Sequence, residues 1–231
     1  MLAARRTRRG AGARDGALRS YTRAVAASPV HGPRIMVHPD TELRFVSPAI
    51  GRGVFATRPI PRGTIVWALD VLDQRFRPSE VAVLPAYARA QLEKYAYLDA
   101  QGDHVLCWDI ARYFNHSCDA NCLSAGYDFE LAVRDIAAGE ELTDDYGTLN
   151  PTEPFPCACG RAGCRGAVLP DDPVRLGDAW NRLACESFAL IRRVPQPLWE
   201  VVADRARVDA ALDDPRLVRP IQDQFTASRR T

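Results

Sequence analysis

A chain of 231 residues, 47% of them hydrophobic and 26% charged, has the size and composition of a soluble globular protein with one sizeable core. No apolar run approaches the ~20 residues that a membrane-spanning helix needs. No apolar segment follows the N-terminal arginines, as a secretory signal would require. We therefore expect a protein without membrane association in the cytoplasm, with a nuclear location or export to a host cell as alternatives.

The charge is unevenly distributed along the chain. Residues 1–34 hold eight arginines and one aspartate, a net charge of +7, and the whole chain carries +1, so residues 35–231 carry −6. Residues 1–33 lack hydrophobic periodicity, which predicts a disordered basic tail. The tail has one aromatic residue, Tyr21, among its arginines, and we do not expect it to bind nucleic acid. The acidic remainder suits a basic protein partner, histone-like or ribosomal, although a solvated acidic surface is the alternative.

From Arg34 onwards, short apolar runs alternate with Gly and Pro, which is typical of short strands joined by tight turns. Strands are predicted at 44–46, 53–56, 64–67, 105–108, 131–133 and 141–143. Turns are predicted at 60–63 and 135–139. Ser79 is predicted to cap a short helix, and a second helix is predicted over 86–95.

Beyond Pro173 the hydrophobic spacing becomes helical. The apolar positions at this spacing are Leu176, Trp180, Leu183, Ala184, Leu190 and Ile191. Pro195 and Pro197 are predicted to end this helix, and a further helix is predicted over 198–212. The pattern as a whole predicts a mainly β fold with short helices and a helical C-terminal extension.

Three cysteines lie within eight residues of a loop rich in Gly and Pro. Cys157, Cys159 and Cys164 form the pattern C-x-C-x4-C, which suits a tetrahedral Zn²⁺ ion, although three unrelated thiols would give the same pattern. A structural zinc site has four ligands, so one ligand must come from elsewhere in the chain. The candidates are Cys107, Cys118, Cys122, Cys185 and His116. No HExxH-type motif accompanies the loop, so a structural zinc ion is favoured over a catalytic one.

Three further segments resemble one family when they are taken together. Residues 51–56 are GRGVFA, residues 112–121 are RYFNHSCDAN, and residues 139–147 are GEELTDDYG. In this order, followed by the cysteine loop, they resemble the SET-domain protein lysine methyltransferases with a post-SET zinc loop, in a short bacterial-type form. The resemblance covers roughly residues 40–170.

The resemblance implies a fold of small curved β-sheets around a knot-like crossing. In this crossing the segment of Tyr146 would pass through a loop near Asn115 and His116, a rare arrangement in proteins. The implied organisation is a SET domain over 34–150 with an insert at about 72–104, a post-SET zinc loop over 151–170, and the helical extension over 171–231.

The resemblance also implies a function, the transfer of a methyl group from S-adenosylmethionine to the side-chain amine of a lysine in a protein. Tyr146 matches the active-site tyrosine of the family. The implied cofactor-binding residues are Arg52, Gly53, Phe55, Asn115, His116 and Tyr146. The implied ligands of a structural Zn²⁺ ion are Cys118, Cys157, Cys159 and Cys164.

Two departures from the family pattern concern the lysine channel. Asp144 stands where many members carry an aromatic residue that limits the number of methyl groups added, so that number stays open. The usual channel tyrosine is missing near residues 67–71, and Tyr97 or Tyr95 is predicted to replace it. These departures support an alternative, a SET-like zinc-containing module that binds protein partners without turnover. Arg112 is expected to pair with a carboxylate and brace the crossing.

Overall fold

The computed structural model of the chain describes residues 36–226, which belong to one compact unit. The predicted basic tail over 1–33 lies outside the described residues. Within the described part, no helix is both long enough and apolar enough to cross a membrane. The predicted SET domain, zinc loop and helical extension fall in the same unit, and the boundaries between them stay predictions.

Residues 36–226 form short strands and four α-helices. The strands are β1 (Thr41–Ser47), β2 (Gly51–Ala56), β3 (Ile65–Ala68), β4 (Gln74–Phe76), β5 (Ala96–Leu98), β6 (His104–Leu106), β7 (Asn115–His116), β8 (Cys122–Ser124), β9 (Phe129–Ala132), β10 (Glu141–Asp144), β11 (Phe155–Pro156) and β12 (Ala167–Val168). The α-helices are α1 (Pro78–Val83), α2 (Ala86–Tyr95), α3 (Asp172–Phe188) and α4 (Arg205–Asp213). The prediction of a mainly β protein with short helices is confirmed.

Strand β10 lies at the centre of the largest sheet, whose strand order is β1-β2-β10-β8-β9-β3. Its first half pairs antiparallel with β2. Its second half pairs in parallel with β7, where Thr143 lies opposite Asn115 and Asp144 opposite His116. Strands that are distant in the sequence therefore meet on β10, just before Tyr146.

Two smaller sheets flank the main one. The segment predicted as an insert forms a three-stranded sheet in the order β4-β6-β5, together with α1 and α2. Strands β11 and β12 pair antiparallel on either side of the cysteine loop. The bounds of α2 are those predicted for the second helix.

The C-terminal helices are part of the core. Helix α3 packs against β8 and β9, and its buried face includes Trp180, Ala184 and Phe188. Phe188 joins the apolar cluster around Phe129 and Leu131 of β9. The apolar stripe read from the sequence is thus internal packing, which stabilises the sheet by removing apolar area from water.

The two predicted turns are confirmed. Gly63 has φ +91° and the N–H of Thr64 binds the carbonyl of Pro61, so a glycine is required at the third position. An added Cβ at Gly63 would also lie 2.6 Å from Cβ of Leu190. Gly139, with φ +82°, ends the second turn before β10.

Four element predictions are wrong at their ends. Helix α3 ends at Phe188 and is followed by a 3-10 turn, Ile191–Arg193, so it ends before Pro195 and Pro197. The helix predicted over 198–212 is a 3-10 turn, Trp199–Val201, followed by α4, because the side chain of Asp204 accepts the N–H of Arg207 and starts a new helix.

The cap of α1 is Arg77 and not Ser79. Pro78 takes the first helical position, where its missing N–H has no cost, and the Glu80 carboxylate accepts the N–H of Arg77. The strand predicted over 105–108 ends at Leu106, because the N–H of Trp108 binds the carboxylate of Asp73 instead of a strand.

Candidate active site

The segments of Asn115-His116 and Tyr146 are in direct contact, as predicted. The backbone N–H of Tyr146 donates to Nδ1 of His116 at 3.2 Å. The N–H of Ser117 donates to the carbonyl of Asp144 at 3.0 Å. The threading of one segment through the other stays a prediction. The contact between the two segments is present in the structure.

The hydroxyl group of Tyr146 has a fixed orientation. It donates to the carbonyl of Phe114 at 2.7 Å, so its oxygen keeps its lone pairs for another donor. Burial raises the pKa of Tyr146, and the negative charges of Asp144 and Glu141 raise it further. The phenol is therefore neutral and acts as a hydrogen-bond acceptor at neutral pH.

His116 connects Tyr146 to the cysteine loop. Because Nδ1 accepts the N–H of Tyr146, the proton of the neutral imidazole is on Nε2, which lies 3.4 Å from Sγ of Cys118. Burial lowers the pKa of His116, and the negative charge of Asp145 offsets part of that effect. A neutral ring with this tautomer suits a positioning role and not acid–base chemistry.

A cavity of about 990 Å³ opens beside Tyr146. Asp144, Tyr97 and Tyr95, all considered for the channel, line it. The ring of Tyr97 meets Trp67 edge to face, with centroids 6.2 Å apart. Trp67 belongs to the segment 67–71, where the usual channel tyrosine is missing. Together with Tyr97 it forms an aromatic wall of the cavity.

The rim of this cavity comes from parts of the chain outside the central sheet. Residues 92–101 of α2, β5 and the following turn contribute one side. Arg219, Asp223 and Gln224, near the end of the described chain, contribute another.

Two of the carboxyl groups that line the cavity are buried, and sequence reasoning found only one of them. Burial raises the pKa of Asp144 to about 8, and the charge of Asp145 adds to the shift. Glu130 of β9 has its pKa raised well above the ordinary value, first by burial and then by Asp144. The missed signal was a glutamate in the apolar run Phe129–Ala132, a strand that is buried throughout.

Three of the residues predicted to bind the cofactor, Arg52, Gly53 and Phe55, lie on β2. Asn115 contacts this strand through its side chain. The side-chain amide of Asn115 donates to the carbonyl of Arg52 at 3.0 Å and to Oε1 of Glu141 at 2.6 Å. A Cβ on Gly53 would lie 2.1 Å from Glu141 Oε1 and 2.9 Å from Asn115 Nδ2. A side chain at this position would force the Glu141 carboxylate and the Asn115 amide to move, so the glycine allows the close approach seen here. Glu141 is a further residue that the sequence analysis missed.

Phe55 of β2 pairs with Glu141 of β10, and its ring lies 5.1 Å from the Arg44 guanidinium. Its role in cofactor binding stays a prediction. The large cavity is lined by Phe114, Asp144 and Tyr146 of the neighbouring segments, and not by Arg52, Gly53, Phe55, Asn115 and His116. Asn115 and His116 follow Phe114 directly, so the two groups of residues adjoin at the Phe114–Tyr146 hydrogen bond.

Four cysteine sulfur atoms form one cluster. The Sγ atoms of Cys118, Cys157, Cys159 and Cys164 all lie within 4.8 Å of one another. Cys157 lies 3.6 Å from both Cys118 and Cys164, close to the ~3.8 Å between sulfurs of a tetrahedral zinc–thiolate site with bonds of ~2.3 Å.

The cluster shows which of the candidate fourth ligands lies beside the three cysteines of the loop. Cys118 joins it, whereas Cys107 and Cys122 lie in the core and Cys185 lies on α3. The N–H of Arg165 points to Sγ of Cys118 and that of Gly166 to Sγ of Cys164, both at 3.4 Å. Each N–H favours the thiolate form, although burial raises the pKa of Cys118.

Asp145 joins the Tyr146 segment to the cysteine loop and to α3. Its carboxylate accepts two hydrogen bonds from Arg165, at 2.8 and 2.7 Å, and one from Nε1 of Trp180 at 3.2 Å. The predicted brace, Arg112, does not pair with a carboxylate among the described residues, because its guanidinium binds the carbonyls of Trp108 and Asp109.

Comparison with known proteins bears directly on this arrangement. A SET domain family model matches residues 51–147. The histone-lysine N-methyltransferase SETD1 of Drosophila melanogaster is 30% identical over 140 residues, which are 55% of this chain and 8% of that protein. The histone-lysine N-methyltransferase trithorax of Drosophila virilis is 32% identical over 135 residues, 52% of this chain and 3% of that protein.

A shorter match has higher identity. The H3 lysine-4 specific histone-lysine N-methyltransferase of Chaetomium globosum is 45% identical over 67 residues, 25% of this chain and 6% of that protein. This chain thus spans 3–8% of the length of these three relatives. Among solved structures, KRYPTONITE in complex with mCHG DNA and SAH gives a TM-score of 0.37 at 23% identity, over 53% of this chain and 27% of that chain.

The matched residues begin with β2 and end just after Tyr146. They include the β2–β10 pairing, the β7–β10 contact and the Tyr146 hydroxyl with its carbonyl partner. Residues 51–147 form a SET domain, which holds these contacts.

Proposed function

We propose that this protein transfers a methyl group from S-adenosylmethionine to the side-chain amine of a lysine in another protein. The observation that carries the proposal is the Tyr146 hydroxyl, held by the Phe114 carbonyl where the large cavity meets the Asn115 segment. The names of the relatives, histone-lysine N-methyltransferases, describe the same reaction class.

The residues around Asn115 fit a cofactor with an amino-acid part and a nucleoside. The backbone of Gly53 packs closely against the side chains of Asn115 and Glu141, and the Asn115 amide donates to the Arg52 carbonyl, so these residues form one ordered group. With His116, these residues would hold S-adenosylmethionine, which supplies an electrophilic methyl group on a sulfonium.

Tyr146 would act as an acceptor that orients the incoming amine. Its only proton is donated to Phe114, so its oxygen accepts from the amine N–H groups without carrying a full charge. Fixing the amine in a suitable geometry removes much of the entropic part of the barrier. The aromatic wall of Trp67 and Tyr97 would enclose the apolar stem of the lysine and exclude water.

The four-cysteine cluster would hold a structural Zn²⁺ ion, which is our proposal for the post-SET loop. The sulfur separations and the donor set of four thiolates suit tetrahedral zinc with no open position for catalysis. The loop contains few core-forming residues, so a bound ion would replace the missing burial.

The substrate would be a basic protein, histone-like or ribosomal. The net charge of −6 on residues 35–231 would attract such a partner at long range. A cytoplasmic location stays a prediction.

The function is tested by incubating the purified, zinc-loaded protein with radiolabelled S-adenosylmethionine and a panel of histone-like and ribosomal proteins. We expect label on lysine in at least one basic protein and none on acidic proteins of similar size. Mass spectrometry of the product gives the residue and the number of methyl groups. Absence of label, with cofactor binding shown by calorimetry, would contradict the proposal for this substrate class.

The second candidate is a SET-like module that binds proteins without turnover. Asp144 at the aromatic position of the channel favours it, because a carboxyl group changes the wall that encloses the lysine. Calorimetry separates the two functions, since the module has no need of a cofactor. No heat of S-adenosylmethionine binding in zinc-loaded protein would favour the module.

A further inference from the structure

Two buried carboxyl groups, Glu130 and Asp144, face the same cavity from strands on either side of β8. In the sheet, Asp144 lies opposite Cys122 and Glu130 lies opposite Ser124. Cys122 and Ser124 are two residues apart, so their side chains leave the same face of the sheet. The two carboxyl groups therefore share that face with the cavity next to Tyr146.

Neither carboxyl group is fully satisfied by the protein. Glu130 is 7% exposed and Asp144 is 4% exposed. Oε2 of Glu130 and Oδ1 of Asp144 have no hydrogen-bond partner within residues 36–226, and neither group forms an ion pair there. A buried polar atom without a partner is costly, so two of them at one cavity wall indicate a ligand that brings donors.

No cation lowers the pKa of either carboxyl group, although Arg75, Lys94, Arg112 and Arg219 also line the cavity. The titratable groups that face it are Tyr97 of β5, Cys107 after β6, Cys122 of β8, Asp128 before β9, and Asp145 and Tyr146 after β10. All of these are neutral or anionic. Two acids in such surroundings do not both ionise at neutral pH. Because the pKa of Asp144 is raised to about 8, the pair loses its first proton and gains one negative charge near that pH.

We propose that Glu130 and Asp144 together accept the proton that the substrate ammonium must lose before methyl transfer. The inference rests on the proposed function. An Nζ–H bond of the ammonium breaks, a carboxylate oxygen of the pair forms an O–H bond with that proton, and the bonding electrons stay on Nζ as a lone pair. The positive charge of the ammonium and the negative charge of the pair cancel in this step.

The energetics of this transfer favour a buried acceptor. Free lysine has a pKa of about 10.4 and an ordinary aspartate about 3.9, a difference that opposes the transfer. Burial narrows that difference by raising the pKa of Asp144 to about 8. A proton acceptor is most effective when its pKa is near the working pH. The position that holds an aromatic ring in many SET proteins would here hold a base.

The test compares Asp144→Asn and Glu130→Gln with Asp178→Asn, which removes an exposed carboxylate on α3. Single-turnover label transfer is measured at saturating S-adenosylmethionine from about pH 6 to about pH 10. We expect both channel variants to be roughly 10²-fold slower at neutral pH. The deficit should close near pH 10, where lysine loses its proton unaided. An equal deficit at every pH, or none, would overturn the acceptor role.

A second readout does not depend on activity. In protein labelled with ¹³C at the Asp and Glu carboxyl carbons, we expect one carboxyl signal to titrate far above the ordinary range and to vanish in Asp144→Asn. Titration of every carboxyl group in the ordinary range would overturn the inference. If the wild type neither binds the cofactor nor transfers label, the proposed function and the acceptor role fail together. Normal wild-type transfer with a pH-independent loss in the variants removes the acceptor role alone.

Discussion

Arg165 binds both carboxylate oxygens of Asp145, the residue immediately before Tyr146, at 2.8 and 2.7 Å. Because Arg165 follows Cys164 in the chain, this ion pair connects the cysteine cluster to the proposed active site. The carboxylate is almost fully buried, with 3% of its side chain exposed, so losing its partner would leave an uncompensated charge.

We therefore expect Arg165→Ala to lower the free energy of unfolding by about 3 kcal/mol and to slow label transfer. Thermal and denaturant unfolding of the zinc-loaded protein measure the first effect. The control is Arg175→Ala, whose half-exposed guanidinium lies 3.4 Å from Asp172 and should contribute less than about 1 kcal/mol. Equal losses in the two variants would contradict a special role for the Asp145 pair.

Tyr146→Phe should reduce label transfer by roughly 10²-fold or more while the fold persists, because the acceptor oxygen is lost and the ring remains. Single-turnover transfer gives the rate, and calorimetry should show S-adenosylmethionine bound with little change in affinity. Tyr87→Phe is the matched control, since Tyr87 is 76% exposed on α2. Undiminished transfer in Tyr146→Phe would remove this hydroxyl from the mechanism.

Cys159→Ser and Cys118→Ser should each release zinc, because each removes one of four thiolate ligands. Elemental analysis should give one zinc per wild-type chain and clearly less in both variants. Cys185→Ser, on α3 and outside the cluster, should keep the full zinc content. Strong chelators should lower the melting temperature of the wild type. Full zinc retention in Cys118→Ser would show that another residue supplies the fourth ligand.

Gly53→Ala should abolish cofactor binding and leave zinc content unchanged. The new Cβ would lie 2.1 Å from Oε1 of Glu141, so the Asn115–Glu141 hydrogen bond would have to move. Calorimetry with S-adenosylmethionine measures the loss. Gly163→Ala is the control, since nothing lies within 4 Å of its added Cβ. Normal cofactor affinity in Gly53→Ala would place the cofactor elsewhere.

The buried carboxyl group of Asp144 predicts a pH dependence of stability. Its pKa is raised from 3.8 to about 8 in the folded protein, so the folded state holds a proton that the unfolded state releases. Its contribution is fully present below about pH 4 and is lost as the pH rises to about 8. Asp144→Asn should therefore raise the melting temperature at pH 8 relative to wild type, and more than at pH 5. The same shift at both pH values would contradict this account.

The sequence was most informative where a single segment contains the whole signal. The turn at Gly63, the strand β2 and the helix α2 follow from local spacing and turn chemistry, and each lies where it was predicted. The contact between the Asn115 and Tyr146 segments came from the family resemblance and not from spacing.

The interactions between segments were not predictable from the sequence. No local pattern pairs Arg165 with Asp145, or places Glu130 on the same wall as Asp144, because these contacts depend on the order of the strands in the sheet. Two helix starts differ from the prediction because a side chain accepts a backbone N–H group. Glu80 binds the N–H of Arg77 at the start of α1, and Asp204 binds that of Arg207 at the start of α4. Helices that start at neighbouring capping residues differ little in free energy.

The cavity rim is formed by two segments, residues 92–101 and the chain near Gln224. The rim at Gln224, and the whole of α3 and α4, lie outside the stretch that matches the SET family, whereas Tyr146 and Asn115 lie inside it. If the proposed function holds, surface changes in the C-terminal segment would alter the cavity rim and leave the residues of the SET domain unchanged. Exchanging the end of the chain between homologues would be a direct route to new target preferences.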